Sequence, residues 1–159
     1  MQTIGEVLDK HGARIVKGLQ KSIESKGLTA TGQTAKSIQY KIVEKGFITS
    51  LEILANLALL VLEKGRGPNV KSGGGGLKAG IETWVDAKPI IPYDPKISKK
   101  QLVFLITRKI AKEGIKVPNR YNKGKVISDV INDKLIDQIV KEVINVNIGY
   151  FVDTVKKAI

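Results

Sequence analysis

The sequence predicts an α+β fold: a small antiparallel sheet with an N-terminal helix and C-terminal helices packed against it. Apolar residues recur at helical spacing near both ends of the chain, whereas residues 38–53 alternate between apolar and polar with the period of a β-strand. This order leaves little room for repeated strand–helix–strand units, so strands and helices are segregated along the chain. Because the chain has 159 residues, of which 42% are hydrophobic, residues 1–159 are expected to form a single domain with its own core.

The first predicted helix begins near Ile4. Five apolar residues share one of its faces, and charged residues occupy the others. They are Ile4, Leu8, Ile15, Leu19 and Ile23. Gly27 is expected to end the helix, because glycine readily adopts the left-handed conformation found at helix ends. His11 lies on or near the apolar face, where a lone histidine is more often a packed core residue than a ligand or a base.

A β-hairpin is predicted after the polar connector at residues 29–37. Ile38, Tyr40 and Ile42 alternate on the first strand, and Glu44–Gly46 forms the connection. The second strand carries the alternating residues Phe47, Thr49, Leu51 and Ile53. The apolar run at residues 55–62 is predicted to be buried, and its pattern fits either a third strand or a helical turn.

Three helices are predicted in the second half of the chain. The first begins near Leu77 and stops before Pro89. The second opens at Ser98, where Gln101 completes a capping-box pattern, and Gly114 ends it. The last covers residues 132–159, which carry apolar residues at helical spacing, and the glycine at position 149 is expected to weaken it midway.

The net charge of +12 indicates an acidic partner, unless a coding bias toward Lys, Ile and Asn explains it. Residues 96–125 carry ten lysines and arginines but a single acid, Glu113. Lysine prevails over arginine, which favours diffuse electrostatic attraction over base-specific reading of DNA. The residues expected to face an acidic partner or DNA are Lys99, Lys100, Arg108, Lys109, Lys112, Lys116, Arg120, Lys123 and Lys125. Phe104 and Tyr121 are candidates for stacking on bases.

A glycine-rich segment separates the two halves of the chain. It lacks the Gly-Lys-Ser/Thr ending of a phosphate-binding loop and the strand-to-helix unit of a dinucleotide fingerprint. Consecutive glycines maximise backbone freedom, so residues 66–76 are predicted to form a flexible arm. The arm residues expected to contact another subunit or a partner are Arg66, Gly67, Pro68, Gly73, Gly74, Gly75 and Gly76. A surface loop without a function remains the alternative.

The sequence predicts no enzyme, no cofactor and no metal site. The chain has one histidine and no cysteine, and its 15 acidic residues are dispersed. The absence of cysteine excludes disulfides and suits a reducing cytoplasm. The N-terminal residues carry acids and lysines, unlike a signal peptide. The longest apolar run, Leu57–Leu62, is far too short to span a bilayer, so no membrane association is expected.

Three short motifs follow one another along the chain. The stretch TGQTAKSIQYKIV enters the hairpin through a Thr-Gly-x-x-Ala-x-Ser-Ile step formed by Thr31, Gly32, Ala35, Ser37 and Ile38. The stretch LVLEKGRGP follows the sheet with an apolar-Glu-x-Gly step formed by Leu62, Glu63 and Gly65. A polar stretch before the last helix contains Pro118, Asn119 and Tyr121. In this order the motifs resemble those of the tail-completion or head–tail connector proteins of tailed bacteriophages.

The resemblance implies a virion structural protein without catalysis. Such a subunit would form a closed homo-oligomeric ring in the neck or upper tail, assembled in the bacterial host cytoplasm, and join the portal or its adaptor to the tail. The Gly73–Gly76 insertion and the basicity depart from the family pattern, which leaves open which ring it forms and whether it meets DNA. The alternative function is a nucleic-acid-binding protein that uses the basic residues 96–125.

Overall fold

The computed structural model describes residues 2–69, 75–88 and 90–158. It confirms the α+β class, with an N-terminal helix, a small antiparallel sheet and C-terminal helices. The elements in chain order are α1 (Ile4–Ser25), α2 (Gln33–Lys36), β1 (Gln39–Lys45), β2 (Ile48–Leu54), α3 (Ala58–Lys64), β3 (Gly65–Arg66), α4 (Gly75–Ala87), α5 (Lys99–Glu113), β4 (Ile115–Lys116) and α6 (Asp133–Ala158).

Helix α1 is amphipathic, as predicted, and its apolar face is buried. The Thr3 hydroxyl accepts a hydrogen bond from the backbone N–H of Glu6, and the Glu6 carboxylate accepts one from the N–H of Thr3, so a capping box begins the helix. Gly27 follows its end with a φ of +64°. His11 is fully buried, which confirms that it is packed in the interior.

The hairpin is also confirmed. Strands β1 and β2 pair antiparallel from Gln39 opposite Leu54 to Lys45 opposite Ile48. Gly46 and Phe47 form the turn, so Phe47 is an exposed turn residue and not the first residue of the second strand. Gly46 has a φ of +59°, which such a short turn requires and which glycine adopts without strain.

The apolar run after the hairpin folds as helix α3, so the helical alternative is the correct one. The expectation that this run is buried was wrong, because Leu57 and Leu60 are exposed and Leu59 is the buried residue of the helix. A short helix that packs one face on its neighbours leaves its other face in solvent, even when every residue is apolar.

The hydrophobic core joins the N-terminal and C-terminal halves of the chain. Its buried cluster consists of Ile15, Leu19, Ile23, Ile38, Leu59, Val126 and Leu135. Val126 is fully buried although it follows the basic loop at residues 116–125. Since α1 supplies three of these side chains and also contacts both strands of the hairpin and α6, it is the central element.

A two-residue ladder between β3 and β4 was not predicted. Gly65 pairs with Lys116 and Arg66 pairs with Ile115. Gly65 is the first residue of β3, and Gly114 directly precedes β4. Their φ,ψ values, 78°,−162° and 75°,−163°, lie in a region that is essentially restricted to glycine. A ladder of this length carries no periodic signal that a sequence pattern could show.

Glu63 ties the end of α3 to the loop before α6. Its carboxylate accepts hydrogen bonds from the backbone N–H groups of Ile127, at 2.7 Å, and Ser128, at 3.4 Å. Partial burial acts to raise the pKa of Glu63, but the hydrogen bonds outweigh it and hold the pKa below its ordinary value. The hydrogen bonds to the loop therefore favour the ionised form of the Glu63 carboxyl in the folded protein.

The three C-terminal helices are confirmed. At the start of α5, Ser98 and Gln101 form the predicted capping box, and Gly114 ends the helix. Helices α4 and α5 pack on each other, whereas α6 packs on α1. Helix α6 runs without interruption through Gly149, so the expected midway weakening does not break it.

We predict that Gly65→Ala destabilises the fold. A Cβ at position 65 would lie 2.0 Å from the backbone oxygen of Ile115, and the backbone conformation there is strained for any other residue. The free energy of unfolding should fall by about 2–4 kcal/mol, measured by chemical denaturation. Gly67→Ala is the matched control, because a Cβ at Gly67 meets nothing within 4 Å. Equal stability of the two variants would contradict the role assigned to Gly65.

Candidate functional site

The nine basic residues that are predicted to face an acidic partner or DNA are all exposed. Lys99 and Lys100 begin α5, and Arg108, Lys109 and Lys112 lie toward its end. The remaining four lie in β4 and the loop that follows it: Lys116, Arg120, Lys123 and Lys125. Of these nine cations, only Lys99 forms an ion pair with a carboxylate in the described part of the chain, and its partner is Asp86. The other cations remain available to an external acidic group.

The aromatic residues of the basic region are exposed as well. Phe104 lies on the solvent side of α5, and the ring of Tyr121 lies in the loop after β4. The guanidinium carbon of Arg120 is 5.7 Å from the centre of the Tyr121 ring, a distance typical of a cation–π contact. The region therefore combines positive charge with flat apolar rings.

The predicted arm is structured at both ends. Arg66 lies in β3, and its guanidinium donates to the side-chain oxygen of Asn69. The backbone N–H of Asn69 donates to the carbonyl of Ala111 in α5, at 2.8 Å. Gly67 and Pro68 are exposed, Gly75 and Gly76 begin α4, and Gly73 and Gly74 lie outside the described residues. Residues 66–69 and 75–76 therefore differ from a freely flexible chain.

A groove with a volume of about 750 Å³ opens between α4, α5 and β4. Its walls are mainly apolar, and the side chains that form them include Ile81, Trp84, Ile106 and Ile110. Lys109, Lys116 and Tyr121 from the basic region stand among the same lining residues. We call this cavity the α4–α5 groove. It brings the predicted basic residues next to an apolar cleft, which the sequence pattern did not indicate.

Helix α6 exposes apolar side chains along its whole length. Residues on its other face, Leu135 and Val146, are buried against the body of the protein. We call the exposed row the outer stripe of α6; it consists of Ile136, Val140, Ile144, Ile148, Phe151 and Val155. Steps of three and four residues place these side chains on one side of a helix. Phe151 is 70% exposed, which is unusual for a large aromatic side chain unless another surface covers it.

A polar cluster fastens α6 to α1. One oxygen of the Glu142 carboxylate accepts hydrogen bonds from Lys10 Nζ, at 2.7 Å, and from Nε2 of the buried His11, at 3.0 Å. The other oxygen accepts a hydrogen bond from the Gln138 side chain, at 3.1 Å. Because a carboxylate only accepts, the His11 Nε2 carries the proton that it donates. Arg14 extends the cluster by donating to the Gln138 side chain at 3.0 Å. These contacts fix the rotation of α6 and hence the direction of its outer stripe.

Beside this cluster lies a cavity at the contact between α1 and α6. The adjacent cavity, of about 350 Å³, is lined by Gln2, Lys10, Glu142, Asn145, Val146 and Gly149, and none of these is a hydroxyl or thiol nucleophile. Among the described residues, no group of three or more His, Asp or Glu side chains is placed to hold a metal ion. Within that same part of the chain, no helix has the length and apolarity needed to cross a membrane.

Comparisons with protein-family models, curated proteins and solved structures found no match to this chain.

We predict that Glu142 makes the stability of the protein depend on acid. Hydrogen bonds from Lys10 and Gln138, with the smaller influence of His11, lower the pKa of Glu142 from 4.5 to about 2. A carboxyl group whose pKa is lower in the folded than in the unfolded protein stabilises the fold at any pH above its unfolded-state pKa. This stabilisation is lost as the pH falls through the folded-state pKa. Glu142→Gln should therefore lose less stability than the natural chain between about pH 4.5 and pH 2, measured by denaturation across this window.

Lys10→Ala supplies the second measurement. Because the Lys10 hydrogen bond is the largest influence on this carboxyl, its removal should raise the pKa of Glu142 in an NMR titration of the folded protein. Equal acid dependence of the Glu142→Gln variant and the natural chain would show that the cluster does not form in solution.

Proposed function

We propose that this chain is a structural subunit of the neck of a tailed-bacteriophage virion, where copies of it form a ring that joins the portal or its adaptor to the tail. The observation that carries the assembly part of the proposal is the outer stripe of α6. A soluble chain that leaves such a row of apolar side chains exposed gains free energy when a second surface covers it. The resemblance of the three sequence motifs to the connector family supports the identity of the assembly.

The hairpin offers further surfaces for assembly. Each strand of β1–β2 has an outer edge that pairs with no other strand in the described part of the chain. Open edges with unpaired N–H and C=O groups are usually paired or covered in closed assemblies. At the tip of the hairpin, Phe47 and Ile48 are both exposed, which adds an apolar contact point.

The motif residues occupy positions where the fold makes specific demands. Gly32 has a φ of +74° at the start of α2, and the Ser37 hydroxyl accepts the backbone N–H of Asn56 at 3.1 Å. Glu63 accepts a hydrogen bond from the loop before α6, and Gly65 permits the β3–β4 ladder.

The third motif, the polar stretch before α6, also has a structural role. The Asn119 side-chain oxygen accepts hydrogen bonds from the backbone N–H groups of residues 121 and 122, both at 2.8 Å. Motifs with structural tasks of this kind are expected when chains share a fold, which supports the resemblance.

We predict that Ile144→Glu prevents assembly. The natural chain should form closed rings visible by electron microscopy, and a charge in the middle of the outer stripe should weaken self-association at least about tenfold in sedimentation experiments. Ile144 is 49% exposed, so the substitution should leave the monomer folded.

Ile91→Glu is the matched control, because it makes the same substitution at an isoleucine that is 86% exposed and lies outside α6. Loss of rings in both variants would mean that charge alone is responsible. A natural chain that remains monomeric at every accessible concentration would overturn the proposed function.

A second candidate function is non-specific binding of nucleic acid. The observation that favours it is the exposure of all nine basic residues together with Phe104 and Tyr121. Lysine contacts to phosphates release counterions, and exposed aromatic rings stack on bases of any identity. This function is compatible with the first, because a ring in the neck surrounds the path of the DNA.

We predict that replacing Lys109, Lys112 and Lys116 together with glutamine weakens binding to a labelled DNA duplex. The slope of log K against log[salt] should become less steep by up to about 3, measured by fluorescence anisotropy. The control replaces three exposed lysines outside residues 96–125, namely Lys17, Lys21 and Lys36, and so removes the same charge. No binding by the natural chain at low salt would remove this candidate.

A further inference from the structure

Helix α5 carries a row of basic side chains with one aromatic ring among them. Lys100, Phe104, Arg108 and Lys112 follow one another at steps of four residues. Side chains at this spacing form a continuous ridge along a helix, with a rise of about 6 Å per step. All four residues are exposed to solvent. We call this row the basic ridge of α5.

The basic ridge is distinct from the side of α5 that packs on the protein. Val103 is buried, and Ile106 and Ile110 line the α4–α5 groove. Glu113, the single acid of α5, lines the same groove, so the ridge carries three positive charges and no negative charge. Among the described residues, no carboxylate forms an ion pair with the three cations of the ridge. The ridge is therefore complementary in charge to a polyanion.

Phe104 adds an open aromatic ring to this positive surface. The side chain is 56% exposed and lies between Lys100 and Arg108 on the ridge. Tyr121, the other exposed aromatic residue of the basic region, already has the guanidinium of Arg120 over its ring at 5.7 Å. The ring of Phe104 is therefore the one that is placed among the cations of α5 and open to a flat partner.

This combination of charge and ring favours a nucleic-acid strand over an acidic protein surface. Every nucleotide supplies a phosphate together with a flat base, whereas acidic side chains supply charge alone. The bases of a single strand are free to stack on an aromatic side chain, but those of a duplex are enclosed in their own stack. A ring in line with the cations is thus of use to a single strand in particular.

We propose that the basic ridge of α5 binds a single strand of nucleic acid, with phosphates at the three cations and a base stacked on Phe104. Two of the cations are lysines, which attract phosphates as point charges, so the binding does not depend on base sequence. The inference rests on the second candidate function, nucleic-acid binding, because it specifies the form of nucleic acid and the side chains that hold it.

A substitution of the ring tests this inference. The natural chain should bind labelled oligothymidylate more tightly than a duplex of the same length, measured by fluorescence anisotropy at one salt concentration. Phe104→Ala should weaken binding to oligothymidylate at least about fivefold and leave binding to the duplex unchanged. Phe47→Ala is the matched control, because it removes an exposed phenylalanine outside the basic region and should change neither affinity. Circular dichroism checks that both variants are folded.

A substitution of the charges supplies the second measurement. Lys100→Gln combined with Lys112→Gln should make the slope of log K against log[salt] for oligothymidylate less steep by up to about 1.4, since each phosphate contact contributes about 0.7. Lys17→Gln combined with Lys21→Gln removes the same charge from exposed positions of α1 and should leave the slope unchanged. Polyglutamate, added as a competitor, should displace oligothymidylate only weakly, because it has no base to stack on Phe104.

Photo-cross-linking locates the contact directly. An oligonucleotide that carries iodouracil should cross-link to the peptide that contains Phe104, identified by mass spectrometry. Cross-links at Tyr121 without any at Phe104 would place the strand elsewhere and contradict the inference.

The remaining outcomes separate this inference from nucleic-acid binding in general. If Phe104→Ala weakens neither affinity or weakens both equally, or if polyglutamate competes as strongly as unlabelled oligothymidylate, the ridge does not select a single strand and the inference is wrong. Binding to the duplex would still support the second candidate function. A natural chain that binds neither form at low salt overturns both.

Discussion

The close packing of α1 against its neighbours is the constraint on which the rest of the structure depends. Two glycines make it possible: a Cβ at Gly12 would lie 2.3 Å from the ring of Tyr40, and one at Gly18 would lie 2.8 Å from Val130. On one side α1 therefore accepts the hairpin at short range, and on another it accepts the segment that leads into α6. The buried side chains of Leu19 and Ile23 then join both halves of the chain in one core.

This arrangement concentrates burial around one helix and leaves the periphery uncovered. Helices α4 and α5 add little to the core: Val85 is buried in α4, Val103 in α5, and the two helices pack mainly on each other. Helix α6 meets α1 along one face, where Glu142 binds His11 and Lys10, and its opposite face stays in solvent. The apolar surface of the protein is therefore divided between a core around α1 and an exposed row on α6.

The candidate surfaces could be predicted from the sequence only in part. The basic residues were identified from charge density, and their exposure follows from the cost of burying an ammonium group. The α4–α5 groove could not be predicted, because Trp84, Ile110 and Tyr121 come from three segments that share no periodic pattern. For the outer stripe of α6, the sequence showed apolar residues at helical spacing but did not show which of them would be exposed. Apolar residues cover a wide arc of this helix, and spacing does not tell which part of the arc another element covers.

The amino-acid sequence by itself determined the local elements of this protein. Hydrophobic periodicity, the capping box at Ser98 and the glycine at position 114 fix helices and strands through interactions between residues a few positions apart. The tertiary structure decided everything that depends on distant pairs: the β3–β4 ladder, the hydrogen bonds of Glu63 to the loop before α6, and the division of α6 into a covered and an uncovered face. The physical reason is that burial and hydrogen bonding between remote segments depend on their positions in space, which no local pattern specifies.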